Sequence, residues 1–185
     1  MRTGINRSKQ SGTTHQQGFS LIELLIVVAI ILIIAAIAIP NLLRSKMTAD
    51  QASAVANLRT VTTAAVSYWV TYSNGYPPTL GTLGGLGPSA NCDAAVLVDT
   101  TITAVPNQKS GYQFAYTGEQ GQVKNSPTGC SSPGYNGYLA TAVPMKIGVT
   151  GSMSYCSTEP GVIHFDVTGA VAGSETTCET LPTLQ

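Results

Sequence analysis

Hydrophobic and polar positions fall into three regimes along the chain. From Leu21 to Ile39 every residue except Glu23 is apolar, a run of 19. An α-helix rises about 1.5 Å per residue, so roughly 20 residues cross a hydrocarbon core of about 30 Å. The run therefore has bilayer length. It is longer than the roughly 7–15 apolar residues of a cleaved secretory signal. No A-x-A-like site follows, since the run ends in Ala38-Ile39-Pro40-Asn41 and passes into a second helical pattern. There Val55, Leu58, Val61, Ala65, Trp69 and Tyr72 recur every three or four positions, with Asn57, Arg59, Thr60, Thr63, Ser67 and Thr71 between them. This spacing predicts an amphipathic helix whose apolar face, Trp69 included, lies on a core. Ser73-Asn74-Gly75 should end it, and Pro77-Pro78 excludes continuation. Counted from Ser20, the expected helix exceeds 50 residues.

Beyond residue 110 the period changes from 3.6 to 2. Tyr112, Phe114 and Tyr116 alternate with Gln113 and Ala115, a turn-rich stretch from Gly118 to Gly137 follows, and Tyr138 to Val143 resumes. Ser152 to Cys156 reads as another strand. The turn Ser157-Thr158-Glu159-Pro160-Gly161 returns the chain along Val162 to Val167. Alternation places Ile163, Phe165 and Val167 on the buried face and His164 and Asp166 on the other. The expected fold class is α+β: a long N-terminal helix, with a transmembrane half and an amphipathic half, packed on a roughly four-stranded antiparallel sheet. The expected organisation is 1–18 as a leader, 19–40 as the membrane helix, 41–74 as the amphipathic helix, and 75–185 as connecting loop, sheet and tail.

Charge is scarce: 10% of residues are ionised types, against about 25% in ordinary soluble domains. Arg2, Arg7 and Lys9 precede the apolar run without an acid, while the remainder holds six bases and nine acids. Such a head can pack against copies of itself without strong repulsion. It offers no basic strip for phosphate neutralisation, since Lys109, Lys124 and Lys146 stand apart, so nucleic acid is not an expected partner. The glycine run Gly84-Gly85-Leu86-Gly87 has neither a preceding strand nor a following helix start and no P-loop lysine, and reads as a connecting loop.

Cys92, Cys130, Cys156 and Cys178 form no C-x-x-C pair, and with only His15 and His164 in the chain a zinc site is poorly provided for. An even cysteine count in an exported domain points to two disulfides. Three pairings are possible. The sequential one, Cys92 with Cys130 and Cys156 with Cys178, closes the shortest loops and is the expected one. A Cys156–Cys178 bond would fasten the tail to the sheet and contribute roughly 3 kcal/mol by loop entropy. Bases flank the apolar run on both sides, Arg44 and Lys46 following it, so the positive-inside rule decides orientation only weakly. The cysteines place the C-terminal part in an oxidising compartment and hence the first residues in the cytoplasm.

Glu23 is the residue that the apolar run has to explain. A carboxylate at the bilayer centre costs about 2.5–3.5 kcal/mol, less near an interface. It is either a boundary acid reaching headgroups or a group awaiting a positive partner in the apolar phase. A free amine created at Phe19 by proteolysis would be such a partner. The stretch Gly18-Phe19-Ser20-Leu21-Ile22-Glu23-Leu24-Leu25-Ile26-Val27-Val28-Ala29-Ile30 resembles the class III signal and methylation motif of type IV prepilins and type II secretion pseudopilins. The likeness extends through Pro40. It implies cleavage between Gly18 and Phe19 by a prepilin peptidase, N-methylation of Phe19, Glu23 as the assembly glutamate and Pro40 as the helix-breaking proline. Gly18 suits a scissile position because a residue without Cβ allows close approach to its backbone. Pro40 removes a helical donor and crowds the carbonyl four residues earlier, so a kink or local unwinding from Leu32 to Pro40 would both fit.

The resemblance further implies a homo-oligomeric filament. It would be polymerised from an inner-membrane platform by a cytoplasmic ATPase, with the head periplasmic before assembly and the product a pilus at the cell surface. The leading expectation is a structural type IV pilin. A type II secretion pseudopilin and a minor pilin for adhesion or DNA uptake are the alternatives. A calcium-binding head would need clustered oxygen ligands, and the tail offers the scattered Asp166, Glu175 and Glu179. His164 and Asp166 lack a nucleophile-elbow sequence, so neither an enzyme nor a cofactor is expected.

Overall fold

The computed structural model describes residues 18–85, 89–124 and 127–184. The expected leader up to residue 17, with its three bases and His15, and Leu86 and Gly87 of the glycine run lie outside the described residues. The chain divides into two compact units, Met1–Pro40 and Asn41–Gln185. Helix α1 runs Leu21–Tyr72, with Pro40 inside it. In the first unit its apolar side chains are exposed, with Ala35 partly covered: Leu21 is 81% and Ile33 65% accessible. By length and composition this helix can cross a membrane.

In the second unit the same helix changes character. Ala54, Leu58, Val61, Ala65 and Tyr68 are buried at alternating spacings of four and three, which is one face of a helix. Burying a leucine such as Leu58 is worth about 1.5–3 kcal/mol. The other face is rich in hydroxyls that would compete with the backbone. Thr48, Thr60 and Ser67 instead donate to the carbonyls of Arg44, Ala56 and Thr63 at 3.1, 3.1 and 2.9 Å, satisfying themselves within the helix. Trp69, expected in the core, is 46% exposed; the buried aromatic is its neighbour Tyr68, because the stripe rotates by about 100° per residue and passes over position 68. The helix ends at Tyr72, where Ser73 (φ 51°) and Gly75 (φ 73°) turn left-handed.

A five-stranded antiparallel sheet follows in the order β1-β2-β3-β4-β5: Gln108–Lys109, Tyr112–Gln122, Tyr135–Pro144, Ser154–Ser157 and Ile163–Asp166. The fifth strand beyond the expected four is the two-residue β1, too short to show a period. On β2 the alternation holds, with Tyr112, Phe114 and Tyr116 buried and Gln113, Ala115 and Thr117 exposed. Across the ladder Phe114 faces Ala142 and Tyr116 faces Ala140, large against small, which lets both rings lie under α1. Strand β3 is buried on both faces. One face joins the α1 core, while on the other Leu139 packs with Cys156, Ala172, Cys178 and the partly buried Leu181. The tail therefore covers the sheet. It carries its own short helix (Glu175–Glu179), and the connection between α1 and β1 holds two more, Leu80–Leu83 and Thr100–Thr103.

This tail reverses one expectation for β5. The amide of Phe165 donates to the Pro182 carbonyl at 3.0 Å and that of Leu184 to the Ile163 carbonyl at 2.8 Å, so the β5 edge is paired. His164, expected to face solvent, is 8% exposed, with its Nδ1 2.7 Å from the Leu181 carbonyl. Val167, expected inside, is 67% exposed because the chain has already turned: Asp166 accepts from the Thr168 amide at 2.7 Å.

The centre of the head is a group of phenols. Tyr116 stacks on Tyr138 with centroids 5.3 Å apart, and Tyr76 meets Tyr138 edge-on at 4.9 Å. Tyr68 reaches the Cys92 carbonyl through its hydroxyl at 2.7 Å. Burial, and then the neighbouring phenols, push the Tyr116 and Tyr138 hydroxyls well above the ordinary tyrosine value. The fold thus favours neutral phenols. Their stabilising contribution is complete below about pH 10 and is lost as pH rises through the raised folded values. Alkaline titration followed by phenolate absorbance should show these tyrosines ionising together with loss of near-UV dichroism. Ionisation at ordinary values in a still-folded head would contradict the burial. Close packing makes a second prediction at Gly134, where a Cβ would lie 1.9 Å from the Asn74 carbonyl oxygen. Gly134→Ala should cost about 1–3 kcal/mol in thermal melts. Gly173→Ala, which meets nothing within 4 Å, should stay within about 0.5 kcal/mol.

Candidate assembly site

Three residues precede α1 in the described chain: Gly18, Phe19 and Ser20. A Cβ built on Gly18 meets nothing within 4 Å, so packing within this chain does not impose glycine there. Phe19 is 85% exposed. Ser20 stands at the helix N-cap. Its carbonyl accepts from the amides of Glu23 (3.1 Å) and Leu24 (3.3 Å), and its own amide donates to Glu23 Oε2 at 3.0 Å. That last bond is one arm of a capping box, the N3 carboxylate folding back onto the N-cap amide. Glu23 therefore has a structural task inside its own chain: it satisfies an amide that the helix cannot, at the positive end of the helix dipole, where a carboxylate is worth about 0.3–1 kcal/mol. The signal for this bond, Ser20-Leu21-Ile22-Glu23, is a plain S-x-x-E pattern overlooked beside the question of the buried charge.

Pro40 lies inside α1 at the junction of the two units. Having no N–H, it leaves the Ala36 carbonyl without its usual helical donor. The helix nevertheless continues through it to Tyr72.

The four cysteines lie in the head and are paired in sequence order. Cys92 bonds Cys130 (Cα–Cα 5.4 Å) and Cys156 bonds Cys178 (Cα–Cα 6.0 Å). The first joins two surface loops next to the phenol cluster. Asp93 reinforces it by accepting from the Ser131 amide at 3.0 Å and from its hydroxyl at 2.8 Å. The second ties β4 to the tail helix, whose N-cap Ser174 accepts from the Thr177 amide at 3.2 Å. The scattered acids have separate engagements. Asp166 closes its own turn, Glu175 accepts from Gln120 at 2.7 Å, and Glu179 accepts from Thr158 at 3.3 Å. Among the described residues no three His, Cys, Asp or Glu side chains group as a metal site would require.

Residues 13–39 match the prokaryotic N-terminal methylation motif. The type IV major pilin protein PilA of Myxococcus xanthus (strain DK1622) is 38% identical over 101 residues, covering 49% of this chain and 46% of that protein. The type II secretion system core protein G of Pectobacterium carotovorum subsp. carotovorum is 36% identical over 76 residues, covering 41% of this chain and 47% of that protein. The chain is similar to the type IV pilin and pseudopilin family in this motif and in these two relatives. It spans about half the length of the curated relatives it matches. No solved structure gives a significant match.

The motif match and the geometry meet at the same place. The matched residues take in Gly18, Phe19 and Glu23 and stop just before Pro40. All four cysteines lie outside the motif, in the head. Loop entropy assigns each of its disulfides roughly 3–4 kcal/mol for closures of 38 and 22 residues. Replacing Cys156 and Cys178 together by serine should lower the head's melting temperature and make the tail the first site of proteolysis. Replacing Cys92 and Cys130 should destabilise by a similar amount while leaving tail protection intact. Equal tail cleavage in both variants would contradict this division of labour.

Proposed function

We propose that this chain is the precursor of a type IV pilus subunit. A prepilin peptidase cuts it between Gly18 and Phe19 and N-methylates Phe19, and the mature protein polymerises through the apolar half of α1. Before assembly the subunit would be an inner-membrane protein with a single span and a periplasmic head. An assembly platform with a cytoplasmic ATPase would transfer it into a homo-oligomeric filament at the cell surface. The observation that carries this reading is the apolar run, exposed along its length, with a single carboxylate in its first turn and an accessible glycine–aromatic bond ahead of it. Its role is structural; no catalytic step or cofactor enters the proposal.

The chemistry of assembly follows from Glu23. Cleavage creates an α-amine at Phe19 that is charged at neutral pH, with an ordinary pKa of about 7.7–8.0. Glu23 is held by the Ser20 amide of its own chain, yet a carboxylate accepts through two oxygens and several lone pairs. Capping and pairing with a neighbour's amine are therefore compatible. In an apolar filament core such a pair is favourable only when both partners are present, so it selects a fixed stagger between subunits. Pro40, in this reading, is where the helix can loosen as it leaves the bilayer.

The relative from a type II secretion system supports a second reading, a pseudopilin confined to the periplasm. The pilin relative and the two head disulfides favour the first. A minor pilin for adhesion or DNA uptake is a third form of the same proposal. Mass spectrometry of the mature protein should find a methylated Phe19 at its N-terminus. Glu23→Ala should abolish sheared surface fibres while leaving cleavage intact. A mature N-terminus elsewhere would overturn the proposal; fibre-free cells with an export defect would move it to the pseudopilin.

A further inference from the structure

The head carries a second apolar surface that the assembly helix does not account for. The turn between β3 and β4 presents Met145, Ile147 and Val149 to solvent, with exposures of 53%, 60% and 51%. Turn tips are ordinarily polar, and clustered apolar groups on a surface mark a contact. This turn is held in shape. Gly148 donates to the Gly151 carbonyl at 2.8 Å, Thr150 to the Lys146 carbonyl at 2.9 Å, and the Lys146 amide to Thr150 Oγ1 at 3.1 Å. Its far end is pinned to α1 by Gln51 Nε2 donating to Ser152 Oγ at 2.9 Å.

The tip lies against the first turns of α1 in the head, where Gly148 and Val149 line a shallow depression with Leu43, Arg44 and Met47. Leu43 is four residues past Ile39, so at most about 14 Å of chain separates it from the end of the apolar run. Arg44, Lys46 and Lys146 surround this surface and are exposed. Among the described residues none of the three is in an ion pair, since the pair found joins Lys109 to Asp99. The nearby acids are Asp50, half-buried beside Gly111, and Asp166, whose Oδ1 accepts from both the amide and the hydroxyl of Thr168.

An apolar tip ringed by free cations, so close in chain length to the end of a bilayer-length run, matches a headgroup boundary. There apolar groups enter the acyl region and basic groups meet phosphate. We infer that the 145–149 turn, with Leu43 and Met47, is a foot that seats the unassembled head on the anionic outer surface of the membrane. The inference rests on the reading that α1 spans that membrane. The foot would fix the head's tilt before polymerisation and would leave the lipid when the subunit enters a filament.

The test uses the full chain in vesicles of brominated phosphatidylcholine containing phosphatidylglycerol, at low protein density. Trp69→Phe removes the native indole, and Val149→Trp or Ile31→Trp supplies a single reporter. Both reporters should lose emission and shift to the blue. For Val149→Trp the loss should shrink when phosphatidylglycerol is omitted, or when Arg44, Lys46 and Lys146 are changed to Gln, as expected of cations each worth roughly fivefold in partition at an anionic surface. Ile31→Trp quenched by bromine while Val149→Trp remains open to aqueous acrylamide would overturn the foot and leave the spanning helix standing. Neither reporter quenched would overturn both. Shielding of Val149→Trp that grows with protein density, without bromine quenching, would assign the surface to a second copy of the chain and overturn the lipid assignment.

Discussion

The first half of α1 presents an apolar surface from Leu21 to Ile39, interrupted only by Glu23. The side chains there remain exposed, so the surface has to be covered by lipid or by copies of the chain. Lipid tails are as apolar as leucine, which means that exchanging one cover for the other releases little hydrophobic free energy. The proposed passage from membrane to filament is then governed by the terms that do differ: van der Waals fit between helices, the partner of Glu23, and work supplied from outside. In that proposal a single carboxylate in an otherwise uniform strip has more influence on register than any of the leucines around it. The Ser20 amide holds that carboxylate within its own chain.

The head solves the complementary problem of being rigid with few charges. Its core is formed by an α1 stripe ending in Tyr68, by phenols stacked between helix and sheet, and by small residues opposite large ones across β2 and β3. The sheet's second face is closed by a tail held through Cys156–Cys178 and by backbone pairing along β5. The hydroxyls of Thr48, Thr60 and Ser67 in α1 bond to carbonyls of their own helix. The result is a polar exterior with few charges.

Features with strong composition or strict period were legible in the sequence. The apolar run, the Pro77-Pro78 stop and the Tyr112-Phe114-Tyr116 alternation each place an element without tertiary information. Where two neighbouring aromatics competed for one stripe, as at Tyr68 and Trp69, a period of 3.6 could not rank them. His164 was misplaced because its exposure depends on the tail, which returns over β5 without any periodicity of its own. Strand β1 and the helices of four and five residues owe their existence to caps and neighbours, such as Ser174 and Asp99, more than to pattern. At the candidate site, Gly18, Phe19 and Glu23 were legible as a motif. The Glu23 cap was present in the letters and lost behind the question of its charge. The apolar turn became visible only when folding brought Val149 beside Leu43.

The central claim is that identical α1 helices cover one another's apolar halves, with Glu23 meeting a neighbour's amine. A cryo-electron-microscopy reconstruction of sheared fibres tests it most directly. The account predicts helices bundled on the fibre axis and the Phe19 amine of one subunit within about 4 Å of Glu23 on another. Fibres built from head-to-head contacts, with the apolar helices pointing outward or Glu23 facing solvent, would contradict it.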